Sequence, residues 1–514
     1  MKGKTTSKHF NQTNFQGFGL DVHSIVFPIT ACIVIFFVVI TLTFPDEAGE
    51  KFGALRLWLT SKFDWVFIVS ANTFILFCLA IIFSPYGKIR LGGINAQPEF
   101  STLAWISMLF AAGLGIGLMF YGVYEPVNHF LTPPLGADGT DTAYTRELAM
   151  SATILHWALH PWAIYAVVGL AMAFSSYNRK LPLSVRSAFY PLLGEKIWGW
   201  SGHLIDILAV FATIFGLATS LGFGAEQSMA GLNYLFGISI SVSNKVYIII
   251  GITGVALISV LRGIHGGVKL LSEINIMIAA ALCIFIFVAG PTLQIFREFF
   301  TNTISYIEHL PTLSNWIGRE DSDFLHNWTT FYWAWWMSWS PFVGMFIARV
   351  SRGRTVREFL IGVLIIPSII CIAWMTLFGG SAIDQYIGDG YTGVIHTIQN
   401  QTPEMSIYKF LEGFPLSQVT STVAVVLVCV FFITSMDSGA LVIDTITAGG
   451  KLNTPKLQRI LWCVFISVIA ITLMISGGLS SLQAMALTTA FPFCAVLLIM
   501  CYSTAKGLMQ EFRS

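Results

Sequence analysis

The chain has 514 residues, 55% hydrophobic and only 11% charged, against about 25% charged in a soluble domain, which excludes a protein whose main solvent is water. A formal net charge of +1 excludes the global basic or acidic bias that recruits nucleic acid or an acidic partner. The eight cysteines lie in apolar runs with no CxxC spacing, so they read as small packing residues rather than a disulfide framework or zinc site.

A polar stretch from Met1 to Gly19 precedes a first apolar run too long for a signal-peptide core. A bilayer core needs roughly 20 apolar residues in a helix. Twelve such runs follow, at 23–44, 63–84, 101–122, 150–175, 205–234, 245–261, 272–293, 327–348, 358–379, 418–436, 458–476 and 481–503. The expected fold is therefore an all-α integral membrane protein of about 12 transmembrane helices. Lys88, Arg90, Arg179, Lys180, Arg186, Arg262, Lys269, Arg349, Arg352, Arg354, Arg357, Lys451, Lys456 and Arg459 all follow even-numbered spans, which predicts cytoplasmic termini. Aromatic and charged residues alternate at helical spacing over 295–317, as in an amphipathic helix lying on the membrane surface.

Spans 3 and 8 carry helix-disturbing residues. Span 3 reads AAGLGIGLMFYG over 111–122, with Gly113, Gly115 and Gly117; span 8 reads WAWWMSWSPFVG over 333–344, and a disturbance is expected at Ser340 and Pro341. Such breaks persist in hydrocarbon only beside protein or a watery cavity. They lie five spans apart, the pattern of an inverted repeat of five-helix units. The glycines equally suit close helix packing, and the residues alone leave both readings open.

In span 8, Tyr332, Trp335, Trp336 and Trp339 share one helical face at i, i+3, i+4 and i+7. Span 4 adds Trp157, Trp162 and Tyr165 around Pro161 in HWALHPWAIY. Two tryptophan-rich spans suit either core packing or a box of rings. A quaternary ammonium, which cannot donate a hydrogen bond, is held by such ring faces.

At these residues, and above all in FYWAWWMSWSPFVGMFIARVSRGRTVREF over 331–359, the chain resembles the betaine/choline/carnitine transporter family along nearly its whole length. The resemblance implies a LeuT-like core of two inverted five-helix repeats, 101–295 and 327–503. Two peripheral helices (23–100), an amphipathic segment (296–326), cytoplasmic tails at 1–22 and 504–514, and a homotrimer in a bacterial inner membrane complete the expectation. It makes Trp157, Trp162, Tyr165 and Trp336 the aromatic box, with Trp335 and Trp339 lining the pathway. Choline-carrying members often have an aspartate at the last glycine of the GxGxG stretch; here Gly117 favours a zwitterion such as glycine betaine. Accumulating a neutral zwitterion a thousandfold costs about 4 kcal/mol, at about 1.36 per tenfold, and needs a co-moving cation. The family's main sodium site maps onto carbonyls of Ala111 and Leu114, with Phe431, Thr434 and Ser435. Its second maps onto Thr213, Leu217 and Phe342, where leucine replaces an oxygen-bearing threonine. One sodium per substrate is the expectation; no other cofactor is implied, and membrane lipid is the surrounding partner.

Other candidates read more plainly. His156 and His160 share a helical face at i, i+4, but with no evident third ligand they suit hydrogen bonding better than a metal. Glu125 in YGVYEP reads as a solvated loop end. Asp437 suits either a functional intramembrane charge or a solvated helix end. The arginines 349–357 read as a topology signal. An intramembrane enzyme would need a nucleophile with a base, and a channel would not need the rings. A proton-coupled choline transporter, or a sodium-independent carnitine/betaine-type exchanger, are the alternatives within the class.

Overall fold

The computed structural model describes residues 13–113, 115–262 and 269–513. Hydrocarbon forces each apolar run to satisfy its own backbone, and helices result: α1 Val26–Thr43, α2 Pro45–Phe83, α3 Thr102–Gly113, α4 Ile116–Leu131, α5 Thr142–Trp157, α6 Leu159–Ala173, α7 Trp200–Phe236 and α8 Val242–Arg262. There follow α9 Lys269–Ala289, α10 Thr292–Leu313, α11 Thr330–Val350, α12 Val356–Met375, α13 Ser417–Thr447, α14 Lys456–Gly477 and α15 Leu479–Phe512. Among the described residues, ten helices are long and apolar enough to cross a membrane, α5 and α6 counting as one. The two predicted spans outside that set are spans 3 and 8. Span 3 is split into two short helices; α11 has length enough, but its tryptophans, serines and proline dilute its apolarity.

The breaks fall partly where the sequence places them. Gly115 is extended (φ −155°, ψ −176°) and separates α3 from α4. Span 4 breaks at Ala158 (φ −98°, ψ −115°), just ahead of Pro161, which has no N–H to return to the preceding turn. Span 8 differs from expectation: α11 runs unbroken through Pro341. A helical proline orphans the carbonyl four residues back, here that of Met337. The Ser340 hydroxyl donates to that carbonyl at 2.7 Å, so the helix continues.

The ends are more structured than the expected tails. Residues Asn14–Gly17 (β1) and Leu20–His23 (β2) form an antiparallel hairpin. It is tied down by Asn14 to the Ala448 carbonyl (3.0 Å), by Lys451 to Asp21 (2.8 Å) and by Gln458 to the Asp21 amide (3.0 Å). At the other end α15 continues to Phe512, and Glu511 approaches Arg179 at 3.6 Å. Arg90 reaches the Gly353 carbonyl and Arg357 that of Ile82, so the two described ends of the chain and these basic residues share one face, called here the terminal face. The amphipathic expectation for 295–317 becomes α10. Leu293, Phe296, Phe300, Ile304 and Ile307 form its exposed apolar stripe, while Asn302 turns inward to bond Thr376 at 2.9 Å.

Candidate functional site

The aromatic residues of spans 4 and 8 meet in the middle of the bundle because α6 and α11 pack lengthwise. Trp157 lies edge-on to Trp336 with centroids 5.0 Å apart, Trp336 to Tyr165 at 6.3 Å, and Tyr165 to Trp162 at 5.5 Å. Trp335 stacks on Trp336 at 4.7 Å and 14°, and Trp339 stands edge-on to Trp335 at 6.4 Å. All six predicted rings thus form one continuous chain of contacts, each residue buried.

Their indole N–H groups are held by backbone and side-chain acceptors on neighbouring helices. Trp336 donates to the His156 carbonyl (2.9 Å) beside the break at Ala158, Trp339 to the Gly216 carbonyl (3.0 Å), and Trp335 to Ser220 Oγ (3.2 Å). Such bonds fix the planes of the rings. Gly117, two residues past the span-3 break, sits directly against them. A Cβ there would lie 2.7 Å from Cη2 of Trp157 and 2.9 Å from Cη2 of Trp335. At Gly115 the nearest atom would be Trp339 Cη2, at an ordinary 3.5 Å.

The structure replaces three sequence readings here. Glu125 is not a solvated loop end but lies inside α4, fully buried. His156 and His160 do not share a face, because the break at Ala158 rotates one away from the other. His156 faces Glu125 (2.6 Å), whereas His160 faces Asn72 of α2 (3.0 Å) and stacks on Trp333. A third potential ligand does exist, since Glu125, His129 and His156 cluster within 4.8 Å. Two ligands that each sit about 2 Å from one tetrahedral metal stand about 3.3 Å from each other. The 2.6 Å contact between Glu125 and His156 is therefore that of a hydrogen-bonded cluster.

On the far side of the rings from the terminal face, Tyr121, Tyr124 and Trp328 pack above Tyr332 and Trp157. On the near side a cavity of about 270 Å³ begins at Phe342, one turn past Trp339, and is lined by Glu99, Phe346, Arg349, Asp437 and Leu441. Asp437 is neither solvated nor at a helix end; it bonds Ser259 at 2.7 Å.

Of the residues mapped to the main sodium site, Leu114 lies outside the described residues. Ala111 falls in the last turn of α3, whose final four carbonyls have no intrahelical partner. Phe431, Thr434 and Ser435 lie on α13, and the Thr434 hydroxyl is parked on the Val430 carbonyl at 3.0 Å. Phe432 of α13 and Ile116 of α4 both approach Gly224, so this stretch lies beside the span-3 break. At the second mapped site the Thr213 hydroxyl bonds its own helix at Ala209 (2.7 Å), and Leu217 packs its side chain against Gly439.

The family model described as the betaine/carnitine/choline family transporter matches residues 25–513. A glycine betaine/proline/choline transporter of Vibrio parahaemolyticus is 52% identical, the match covering 96% of this chain and 92% of that protein. A second protein of that organism, glycine betaine transporter 1, is 47% identical over 99% of this chain and 98% of its own length. The glycine betaine transporter of Acinetobacter baylyi is 40% identical over 99% of this chain and 75% of its own length.

Proposed function

The chain belongs to the betaine/carnitine/choline transporter family, a multi-pass membrane transporter and not an enzyme, and we propose that it takes up glycine betaine or a close analogue by sodium symport with alternating access. The observation that carries this reading is the continuous chain of six buried rings on two broken or proline-bearing spans, with Gly117 beneath them. Ring faces attract a quaternary ammonium by about 0.5–2 kcal/mol each when desolvated. Gly117 places no carboxylate at its side of the rings, and the one carboxylate beside the box, Glu125, is taken up by Trp157, Tyr332, His156 and His129, which suits a substrate that carries its own.

Sodium is the coupling ion in this reading, held by free carbonyls at the end of α3 together with Thr434 and Ser435. Leu217, filling the space against Gly439, supports one ion rather than two. Rings closed over by Tyr121 and Trp328 on one side, with a cavity below Phe342 on the other, suit a state open toward the terminal face. Under the basic-loop rule that face is the cytoplasm of a bacterial inner membrane. A homotrimer belongs to the same proposal.

Uptake of radiolabelled glycine betaine into proteoliposomes tests it, with an inward sodium gradient, a potassium-only control and unlabelled choline as competitor. Sodium-dependent accumulation that choline barely inhibits supports the reading; uptake indifferent to sodium sinks it. A broader specificity that includes choline and proline is the second reading, favoured by the 52% identical relative, a glycine betaine/proline/choline transporter. Strong competition by both compounds in the same assay would select it.

A further inference from the structure

Glu125 carries more hydrogen bonds than any single role in packing requires. Its Oε2 accepts from Trp157 Nε1 at 2.8 Å and from the Tyr332 hydroxyl at 2.5 Å. Its Oε1 meets His156 Nδ1 at 2.6 Å and His129 Nε2 at 3.3 Å. An ionised carboxylate has about four lone-pair sites, and here all are used. The residue is fully buried, as are His129 and His156, and Tyr332 is fully buried beside them. A carboxylate in such a place is sustained only by donors of this number and strength.

The four partners come from three helices: His129 from α4, His156 and Trp157 from the end of α5, and Tyr332 from α11. Two of the links lead straight to the box. Trp157 is a box ring, oriented by the bond from its own N–H to Glu125. His156 is clamped at both ring nitrogens, by Glu125 and by Thr329 Oγ1 at 3.0 Å, and its ring stacks on Tyr332 at 4.6 Å. Its carbonyl in turn accepts from Trp336, a second box ring. The segment so fixed is the one just ahead of the Ala158 break, where the helix cannot hold its own geometry.

We propose that Glu125 is the positioning residue of the aromatic box, setting Trp157 directly and Trp336 through His156, so that both rings present their faces to the substrate. This rests on the box being the betaine site. Glu125 touches the rings and not the substrate; it acts by holding His156 at Oε1 and by accepting hydrogen bonds from Trp157 and Tyr332 at Oε2. Glutamine retains that acceptor and offers His156 Nδ1 a donor in place of one, so the ring geometry survives the change. Alanine leaves the Trp157 N–H and Tyr332 hydroxyl without a partner in a dry site, and the rings turn to seek others.

The test is kinetic, on full-length protein in proteoliposomes. Wild-type uptake of glycine betaine is measured first; its absence would count against the transport reading and not against Glu125. Given wild-type uptake, E125A raises KM about tenfold or more with kcat changed far less, E125Q restores KM to within about threefold, and half-saturation by sodium is unmoved. In a Trp157→Phe background, which lacks the N–H, the share of the E125A effect on KM that runs through Trp157 disappears and the share through His156 and Trp336 stays, so the two changes do not simply multiply. Tyr332→Phe serves if E125A does not fold: it removes one donor, keeps the ring, and raises KM about threefold. Wild-type KM in folded E125A or, failing that, in Tyr332→Phe overturns the proposal. So do effects of E125A and Trp157→Phe that simply multiply.

Discussion

Gly117 lies under Trp157 so closely that a single methyl group would come within 2.7 Å of the indole edge. The contact joins the backbone just beyond the span-3 break to the ring just ahead of the span-4 break. The two irregular segments that hydrocarbon alone would not tolerate are therefore packed on each other.

Gly117→Ala should raise KM for glycine betaine about tenfold, because overpacking a close contact costs about 1–3 kcal/mol. Gly117→Asp displaces the rings in the same way but adds a carboxylate beside them, so choline, a net cation, becomes the better competitor. Uptake with unlabelled choline measures both. A Gly117→Ala variant with wild-type kinetics would show that the rings yield freely.

Trp336 contacts Trp157, Tyr165 and Trp335 at once. Trp336→Leu should weaken betaine binding about 3- to 30-fold, the range expected for losing one desolvated ring, and Trp336→Phe should recover most of it. Equilibrium binding of radiolabelled betaine to detergent-solubilised protein provides the readout. Equal loss in both variants would mean that size rather than ring character matters.

For sodium, Thr434→Ala should raise the concentration for half-maximal uptake about tenfold by removing one oxygen ligand. Leu217→Thr supplies the hydroxyl that the second mapped site lacks, next to Thr213, and should turn a single-ion dependence on sodium into a cooperative one. The initial rate of betaine uptake against sodium concentration decides both. An unchanged curve for Thr434→Ala would remove that residue from the ion site.

Acid should loosen the N-terminal hairpin. His23 Nδ1 accepts from the amides of Ile25 (3.2 Å) and Val26 (3.3 Å), which a protonated ring cannot do. Burial, then Arg186 and His203 beside it, push the His23 pKa down to about 3; Arg186 is itself bound by Asp206 at 2.5 Å. An undocked His23, with its ordinary pKa of about 6.5, takes up a proton that the docked one refuses. Docking is therefore fully stable above that value and weakens as pH falls from about 6.5 toward 3. A nitroxide attached at the exposed position 18 should become more mobile between pH 7 and pH 5, and His23→Gln should flatten the response. Mobility independent of pH would refute it.

The sequence alone determined the membrane class, twelve apolar runs, the basic loops and the two tryptophan-rich stretches, because hydrocarbon leaves a long apolar run one way to satisfy its backbone; whether those rings pack a core or form a box stayed open in the residues themselves. In span 3 the sequence left Gly113, Gly115 and Gly117 open between a break and close helix packing, and the extended backbone at Gly115 decides for the break. What a linear reading could not decide was where freed groups find partners. Pro341 looked like a break, yet the Ser340 hydroxyl meets the orphaned Met337 carbonyl and α11 stays whole. His156 and His160 looked like a pair, yet a turn at Ala158 sends them to different helices. Glu125 looked solvated because its neighbours in sequence are a tyrosine and a proline at a span's end. Its four donors lie at His129, His156, Trp157 and Tyr332, mostly on other helices, and a buried charge can be recognised only once the donors that stabilise it are in place.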